Sequence, residues 1–206
     1  MNYIEQQGTR GKILQAAIKV FIQKGIDGAR IQEISDISGV NKALIYYYYS
    51  SKDNLYFEVL KSVFTHVFRN LKVAILDHRE ISSKISKIID IYFNFFLSYP
   101  EWPRIMAWEM AKGAENIKKL LKESQEIDFE TIRNQFLETY KDGVKRGELR
   151  DLDPMQTMIS FIGMIIFYFI AKPVIDEIWK IEGDTSKFLN DRKKHIFELF
   201  MHGVKK

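Results

Sequence analysis

The sequence predicts an all-α protein, in which a three-helix N-terminal domain of helix-turn-helix type precedes a larger helical bundle. Along almost the whole chain, apolar residues recur at spacings of three and four rather than two, which is the period of helices. Glycine, proline and capping residues separate these periodic segments. Of the 206 residues, 46% are hydrophobic and 14% aromatic, which is enough for a sizeable core.

Three helices are expected in the first fifty residues. The first begins near Thr9 and ends at Gly25, because glycine adopts positive φ without strain. The second covers residues 31–38, with Ile34 and Ile37 directed inward, and Gly39 supplies the turn that follows. Asn41 can cap a third helix that runs to about Tyr48. Two short helices joined by a glycine turn are typical of a helix-turn-helix.

The rest of the chain predicts six further helices, at about residues 52–76, 81–99, 102–112, 115–146, 154–171 and 185–202. Asp153 and Pro154 begin the fifth of these, and Pro173 is expected to kink or break it. We divide the chain into a helix-turn-helix domain at 1–50, a connecting helix at 51–76 and a larger helical domain at 77–206.

Composition excludes several classes of protein. The chain has no cysteine, which excludes disulfides and thiolate metal sites and permits a cytoplasmic setting. Its N-terminus is polar and carries no apolar signal segment. The longest apolar run, 159–171, is shorter than the roughly 20 residues that a bilayer requires, so we expect a buried helix and no membrane partner. A net charge of +4 permits nucleic-acid binding without establishing it.

Residues 46–49, at the end of the third helix, are four consecutive tyrosines. Successive side chains of a helix point about 100° apart, so they cannot all be buried. If Ile45 and Tyr49, four residues apart, close a small core, then Tyr46, Tyr47 and Tyr48 point outward. Exposed phenol rings can pack on sugars and on thymine methyl groups, and their hydroxyls can bind phosphates. Taken alone, the tyrosines could equally form a packing face in a bundle that does not bind DNA.

Residues 9–56 resemble the DNA-binding domain of the TetR family of bacterial regulators. The family pattern is matched by Gly25, Ile34, Gly39, Val40, Asn41, Ile45, Tyr46, Tyr49, Ser51, Lys52 and Leu55. The chain departs from it at Arg30, where Thr or Ser is frequent, at Ser35, where Ala is usual, and at Tyr49, where Phe is usual. The C-terminal 150 residues agree only in length, helical pattern and apolar character.

The resemblance implies a set of DNA-binding residues. Tyr46 and Lys52 should contact phosphates, and Arg30 and Gln32 could reach the backbone or a base. Asn41 and the major-groove residues complete the set: Lys42, Ala43, Leu44, Tyr47 and Tyr48. The resemblance also implies that 1–50 is a DNA-binding domain and that 77–206 is an effector-binding and dimerisation domain, with helices 154–171 and 185–202 as the dimer interface. It further implies a repressor that binds a palindromic double-stranded operator and is released by a small lipophilic or aromatic effector.

An effector cavity is expected among aromatic residues of the larger domain, although plain core packing is the alternative for each of them. The candidates are Phe93, Phe96, Trp102, Trp108, Phe129, Phe136, Tyr140, Phe161 and Tyr168. No phosphate-binding glycine loop or catalytic motif is present, so we expect no enzyme activity and no cofactor. The four histidines lack metal-ligand spacing, so no metal is expected, and Asp90, Glu109 and Asp128 are expected to form salt bridges.

Two other functions remain open from the sequence. The chain could be a helical binding protein for a lipophilic ligand, with a purely structural N-terminal bundle. It could also be an adaptor whose tyrosines bind another protein. Neither alternative predicts a specific complex with duplex DNA, so DNA binding distinguishes both from the regulator.

Overall fold

A computed structural model describes residues 8–77, 80–124, 127–181 and 185–206. Within these ranges the chain forms ten helices and no strand beyond one isolated bridge between Leu149 and Lys205. The helices are α1 (Thr9–Gly28), α2 (Ile31–Ser38), α3 (Lys42–Tyr49), α4 (Lys52–Leu76), α5 (Ile81–Ser98), α6 (Trp102–Ala111), α7 (Glu115–Glu123), α8 (Phe129–Lys145), α9 (Pro154–Trp179) and α10 (Thr185–Val204). The all-α prediction is confirmed.

The helix-turn-helix follows the local signals in the sequence. Gly39 ends α2 in the left-handed conformation, with φ of 67°, and Asn41 caps α3 by accepting a hydrogen bond from the Leu44 N–H. Ile34 and Ile45 are buried. Ile37, however, is 52% exposed, so its predicted inward position was wrong. At about 100° per residue, Ile37 is turned about 90° away from the centre of the face that the buried residues Ile31 and Ile34 define.

The predicted helix at 115–146 is in fact two helices, α7 and α8, and residues 125–126 between them lie outside the described part of the chain. Apolar residues keep a helical spacing on both sides of the break, which made the segment look continuous. The local signal for the second start is Asp128, which caps α8 by accepting from the Thr131 N–H at 2.9 Å. We had assigned Asp128 to a salt bridge alone.

Helix α9 does not end near Pro173 as expected but continues to Trp179. An ion pair between Lys172 and Asp176, one turn apart, spans the proline, and the Tyr168 hydroxyl lies 3.5 Å from the same carboxylate. These side-chain contacts stabilise the turn that contains the proline.

Helix α9 is also longer and less buried than the predicted buried helix. It has 26 residues and contains an 18-residue stretch with a mean hydropathy of 2.1, so by length and composition it could span a bilayer. In the single chain, one side of α9 exposes a row of large apolar residues: Met155, Ile159, Phe167, Ile170, Val174 and Ile178. We call this row the α9 stripe.

The chain divides into two compact units. The first runs up to Phe68 and resumes over Glu101–Ile127, so that α6 and α7 pack with the helix-turn-helix. The second comprises Arg69–Pro100 and Asp128–Lys206. This grouping differs from our division at residues 50 and 76, since α6 and α7 had been placed in the effector domain. The division by function remains a prediction.

Candidate nucleic-acid interface

Helix α3 is held in the first unit by its inner face. Ile45 and Tyr49 are each 1% exposed. The Tyr49 hydroxyl donates to the backbone carbonyl of Arg10 at 3.0 Å, and the Arg10 guanidinium lies 5.3 Å from the Tyr49 ring centre. Burial raises the pKa of the Tyr49 phenol. The tyrosine that replaces the usual phenylalanine therefore gives its hydroxyl a partner and fixes the orientation of α3.

The opposite face of α3 is open to solvent. Tyr47 is 79% exposed and Tyr46 is 47% exposed. Lys42 and Ala43 are exposed as well, whereas Leu44 and Tyr48 are half-buried. The rings of Tyr47 and Tyr48 meet edge to face, with centres 5.4 Å apart, which restricts the Tyr47 ring. All six predicted residues of α3 thus share one accessible surface.

The start of α4 borders this surface. Ser51 caps α4, because its Oγ accepts a hydrogen bond from the Asn54 N–H at 3.0 Å. The Lys52 side chain is half-buried, and its Nζ donates to the backbone carbonyl of Ala29 at 3.3 Å. Lys52 therefore places its positive charge where the loop before α2 meets the beginning of α4.

The N-terminus of α2 supplies the remaining predicted residues. Arg30 and Gln32 are both exposed. The Gln32 amide donates to the Asp36 carboxylate at 2.6 Å, so part of its hydrogen-bonding capacity is already used. The Arg30 N–H donates to Glu33 at 3.3 Å, and a hydrogen bond from Lys24 lowers the pKa of the Glu33 carboxyl.

Sequence reasoning missed the support that α6 gives to the helix-turn-helix. Gly25 interrupts α1 with a φ of 65°, and the Trp108 ring lies directly against it. Lys112, also on α6, binds the Asp27 carboxylate at 2.6 Å, and its hydrogen bond lowers the pKa of Asp27. The glycine was visible in the sequence, but nothing local indicates a tryptophan 83 positions later as its neighbour.

A buried polar cluster joins α4, α6 and α7 in the same unit. Glu109 is 2% exposed, and one of its carboxylate oxygens accepts from the Tyr56 hydroxyl at 2.9 Å and from the Asn116 amide at 3.2 Å. Burial, and next the adjacent carboxylate, raise the pKa of the Tyr56 phenol. Among the described residues, Glu109 therefore accepts from neutral donors and pairs with no cation, which corrects our expectation of a salt bridge.

The other two carboxylates form the expected salt bridges. Asp90 pairs with Lys193 at 2.8 Å, and Asp128 pairs with Lys72 at 3.2 Å. Among the described residues, no cluster of three or more His, Asp or Glu side chains could hold a metal ion. His78 lies outside those ranges.

The predicted effector residues fall in both units. Trp102 and Trp108 belong to the first unit, and the other seven belong to the second. Within the second unit, Phe93 and Phe96 both contact Phe169, with ring centres 5.1 and 4.4 Å from it. Phe161 packs on Phe200 at 4.5 Å. These contacts are core packing, and the use of any of these rings in effector binding remains a prediction.

Comparison with known proteins gives two family matches. Residues 13–59 match the model for bacterial regulatory proteins of the tetR family, and residues 82–199 match a tetracyclin repressor-like C-terminal domain. The second match extends over more than half of the chain. It covers the part for which the sequence pattern had offered only helical character and length.

Named relatives and solved structures agree with these matches. The transcriptional regulator RutR of Escherichia coli strain K12 is 24% identical over 193 residues, covering 94% of this chain and 89% of RutR. The repressor NicS of Pseudomonas putida is 30% identical over 118 residues, covering 54% of this chain and 56% of NicS. The structure of FadR from Bacillus subtilis in complex with stearoyl-CoA has a TM-score of 0.71 at 18% identity, covering 93% of this chain and 97% of FadR.

Proposed function

Since this chain belongs to the TetR family of bacterial regulatory proteins and is a DNA-binding transcriptional regulator, we propose that α3 enters the major groove of an operator. Lys42, Ala43, Leu44, Tyr47 and Tyr48 would face the base edges. Tyr46 and Lys52 would bind phosphates, and Arg30 and Gln32 would reach the adjoining backbone. Asn41 would contribute by capping α3 and by its place at the edge of the groove.

The observation that carries this proposal is the exposed face of α3. Tyr47 is 79% exposed although its ring is one of the largest apolar groups in the chain, and exposed clusters of this kind mark interaction surfaces. Lys42 on the same helix and Lys52 at the start of α4 supply positive charge beside it. A basic surface with aromatic side chains suits a phosphate backbone and base edges.

We propose that the protein acts as a homodimer through α9 and α10. The α9 stripe is too apolar to remain in water, and a second copy of the chain would cover it in a four-helix bundle. A groove of about 430 Å³ between α9 and α10 lies beside Ser160, Met164, Leu199 and Gly203, and it would receive a helix of the partner. The interface would then extend past residue 171, to Ile178.

A two-fold dimer would present two copies of α3 to successive major grooves. The operator would accordingly be palindromic, with half-site centres roughly 34 Å apart or somewhat more. Covering the α9 stripe in a dimer also removes the reason for α9 to enter a bilayer. We therefore place the protein in the cytoplasm, without a membrane partner.

We further propose that the protein is a repressor released by a lipophilic or aromatic small molecule. NicS is named a repressor, and FadR was solved with stearoyl-CoA. The second unit of this chain is rich in aromatic side chains that such a ligand could contact. To cause release, the effector must bind the non-DNA-binding conformation more tightly, because equal affinity for both conformations shifts nothing.

The test is a binding titration with duplexes from the region upstream of the protein's own gene. We compare wild type with Tyr47→Ala and Lys52→Ala, and use Lys141→Ala on α8 as a matched control. We expect each of the first two substitutions to weaken specific binding by at least tenfold, while Lys141→Ala leaves it unchanged. Circular dichroism checks that each variant remains folded.

Two outcomes would contradict the proposal. If Tyr47→Ala and Lys52→Ala both bind as wild type does, α3 is not the DNA-binding helix. If wild type binds no duplex specifically yet binds a lipophilic ligand tightly, the chain is a helical carrier, which is the alternative left open by the sequence.

A further inference from the structure

The centre of the exposed face of α3 is apolar. The buried residues Ile45 and Tyr49 define the inner direction of the helix. At about 100° per residue, Tyr47 points almost directly away from them, and Ala43 and Leu44 flank it one turn earlier. We call Ala43, Leu44 and Tyr47 the apolar patch. Lys42, Tyr46 and Tyr48 lie at its margins.

Helix α3 lacks the side chains that usually distinguish bases by hydrogen bonds. Its sequence, KALIYYYY, contains no Arg, Asn, Gln, Asp, Glu, Ser or Thr. Bidentate recognition of adenine needs Asn or Gln, and recognition of guanine usually needs Arg or Lys. Within α3, Lys42 is the one residue that could recognise guanine by hydrogen bonds, and it lies in the first turn, beside the apolar patch rather than within it.

The nearest amide side chains are already engaged. The Asn41 Oδ1 accepts from the Leu44 N–H at 2.9 Å, which commits this side chain to capping α3. The Gln32 amide nitrogen donates to Asp36 at 2.6 Å. Each of these hydrogen bonds occupies one donor or acceptor site of the amide and restricts the orientation in which it could meet a base.

One base-edge group in the major groove is recognised by apolar contact, namely the 5-methyl group of thymine. We infer that the protein specifies each operator half-site through thymine methyl groups, with the apolar patch as the surface that contacts them. This inference rests on the proposed function of α3. The Tyr47 ring supplies most of the contact area, and its edge contact with Tyr48, at 5.4 Å between ring centres, limits the rotamers it must lose on binding.

The experiment replaces thymine with deoxyuridine, which removes only the methyl group. Duplexes that bind wild type are first selected from a random library, and the protected half-sites are mapped by footprinting. Each dT in the half-sites is then changed to dU, singly and as symmetric pairs, and the dissociation constants are measured. Burial of one methyl group corresponds to about a fourfold loss of affinity, and a symmetric pair to about a 15-fold loss.

Variants assign the effect to the patch. In Tyr47→Ala the dU penalty at one or more positions should disappear, whereas Tyr47→Leu, which keeps an apolar side chain, should retain part of it. Lys42→Ala is the matched control on the same helix. It should weaken binding to dT and dU duplexes equally, because it removes a charge at the margin and no methyl contact.

The outcomes separate the inference from the proposed function. The inference is overturned if a selected duplex binds equally well with dU at every position, or if the dU penalty persists in both Leu44→Ala and Tyr47→Ala. It is also overturned if 7-deazaguanine substitution abolishes selectivity while dU has no effect, since hydrogen bonds to guanine would then specify the site. If no duplex is enriched, the proposed function itself fails.

Discussion

The Trp108 ring lies against Gly25, such that a β-carbon built on Gly25 would be 2.9 Å from Cζ3 and 3.0 Å from Cε3 of the ring. Gly25 also has a φ of 65° and a ψ of 179°, a conformation that is essentially restricted to glycine. Gly25 therefore redirects the end of α1, and its lack of a side chain allows the Trp108 ring of α6 to pack directly against the α1 backbone. The contact connects the helix-turn-helix to a segment more than eighty residues away in the sequence.

Replacing Gly25 with alanine should destabilise the first unit by about 2–4 kcal/mol, because backbone strain and overpacking act together. Urea denaturation followed by tryptophan fluorescence measures the loss. The double variant Gly25→Ala/Trp108→Leu separates the two causes, since a smaller side chain at 108 removes the clash and leaves the strain. If the two substitutions have purely additive effects, the close contact is not what constrains Gly25.

Replacing Tyr56 with phenylalanine should destabilise the protein by about 1–3 kcal/mol, because the buried Glu109 carboxylate loses the hydroxyl that donates to it at 2.9 Å. Denaturation of Tyr47→Phe provides the control, since the Tyr47 side chain is mostly in solvent and should change stability by less than about 0.5 kcal/mol. Equal stability of both variants and wild type would show that the Glu109 cluster contributes nothing.

Replacing Phe167 with glutamate should convert the proposed dimer into a monomer. The side chain is 64% exposed in the single chain, so the monomer should tolerate the charge, whereas a dimer would have to bury it unpaired at a cost of about 3–5 kcal/mol. Sedimentation velocity gives the oligomeric state. Leu121→Glu, on an exposed position of α7, should remain dimeric, and a dimeric Phe167→Glu would place the interface elsewhere.

Lowering the pH should remove a contribution of Asp128 to stability. Hydrogen bonds from Thr131 and, less strongly, from Lys72 lower the pKa of this carboxyl to about 2, from an ordinary value of 3.8. Because the folded-state pKa is the lower one, the contribution is complete above about pH 4 and is lost as the pH falls through about 2.

The advantage in stability of wild type over Asp128→Asn should accordingly be greatest above pH 4 and shrink towards pH 2. Carbon-detected NMR titration of the Asp128 carboxyl checks the pKa directly. A midpoint near 3.8 would mean that Asp128 does not cap α8 in solution.

Removing a phosphate-binding cation should reduce the dependence of DNA binding on salt. Arg30→Ala and Lys52→Ala should each lower the slope of log affinity against log salt concentration by about 1, because one fewer counterion is released. Lys141→Ala should leave the slope unchanged. Fluorescence anisotropy between 50 and 300 mM salt measures the slope, and slopes equal to wild type would exclude Arg30 and Lys52 from the phosphate contacts.

Local chemistry in the sequence predicted the helix-turn-helix closely. Gly39 and Asn41 act through their own backbone and the next turn of the chain, so their effects are visible within a few residues. The spacing of Ile45 and Tyr49 likewise determines which face of α3 is buried, and consequently which tyrosines are exposed. The composition of the DNA-facing surface follows from these local facts.

Where competing signals had to be weighed, the sequence was misleading. Pro173 is a strong local breaker, yet α9 continues through it to Trp179, with an ion pair between Lys172 and Asp176 across the proline. Apolar periodicity ran across residues 124–128, where the chain in fact caps a new helix at Asp128. Apolar periodicity indicates which side of a helix is apolar. It does not reveal a break between two helices when the helical spacing of apolar residues continues across the break.

By itself, then, the sequence determined the helical class, the helix-turn-helix and the exposed face of α3, because caps, glycine turns and helical periodicity act over a few residues. Only the tertiary structure decided that the Trp108 ring packs against Gly25, that Glu109 is buried against Tyr56, and that the α9 stripe is left exposed in the single chain. These features join residues tens of positions apart, and side-chain packing between helices, which has no local signature, brings them together.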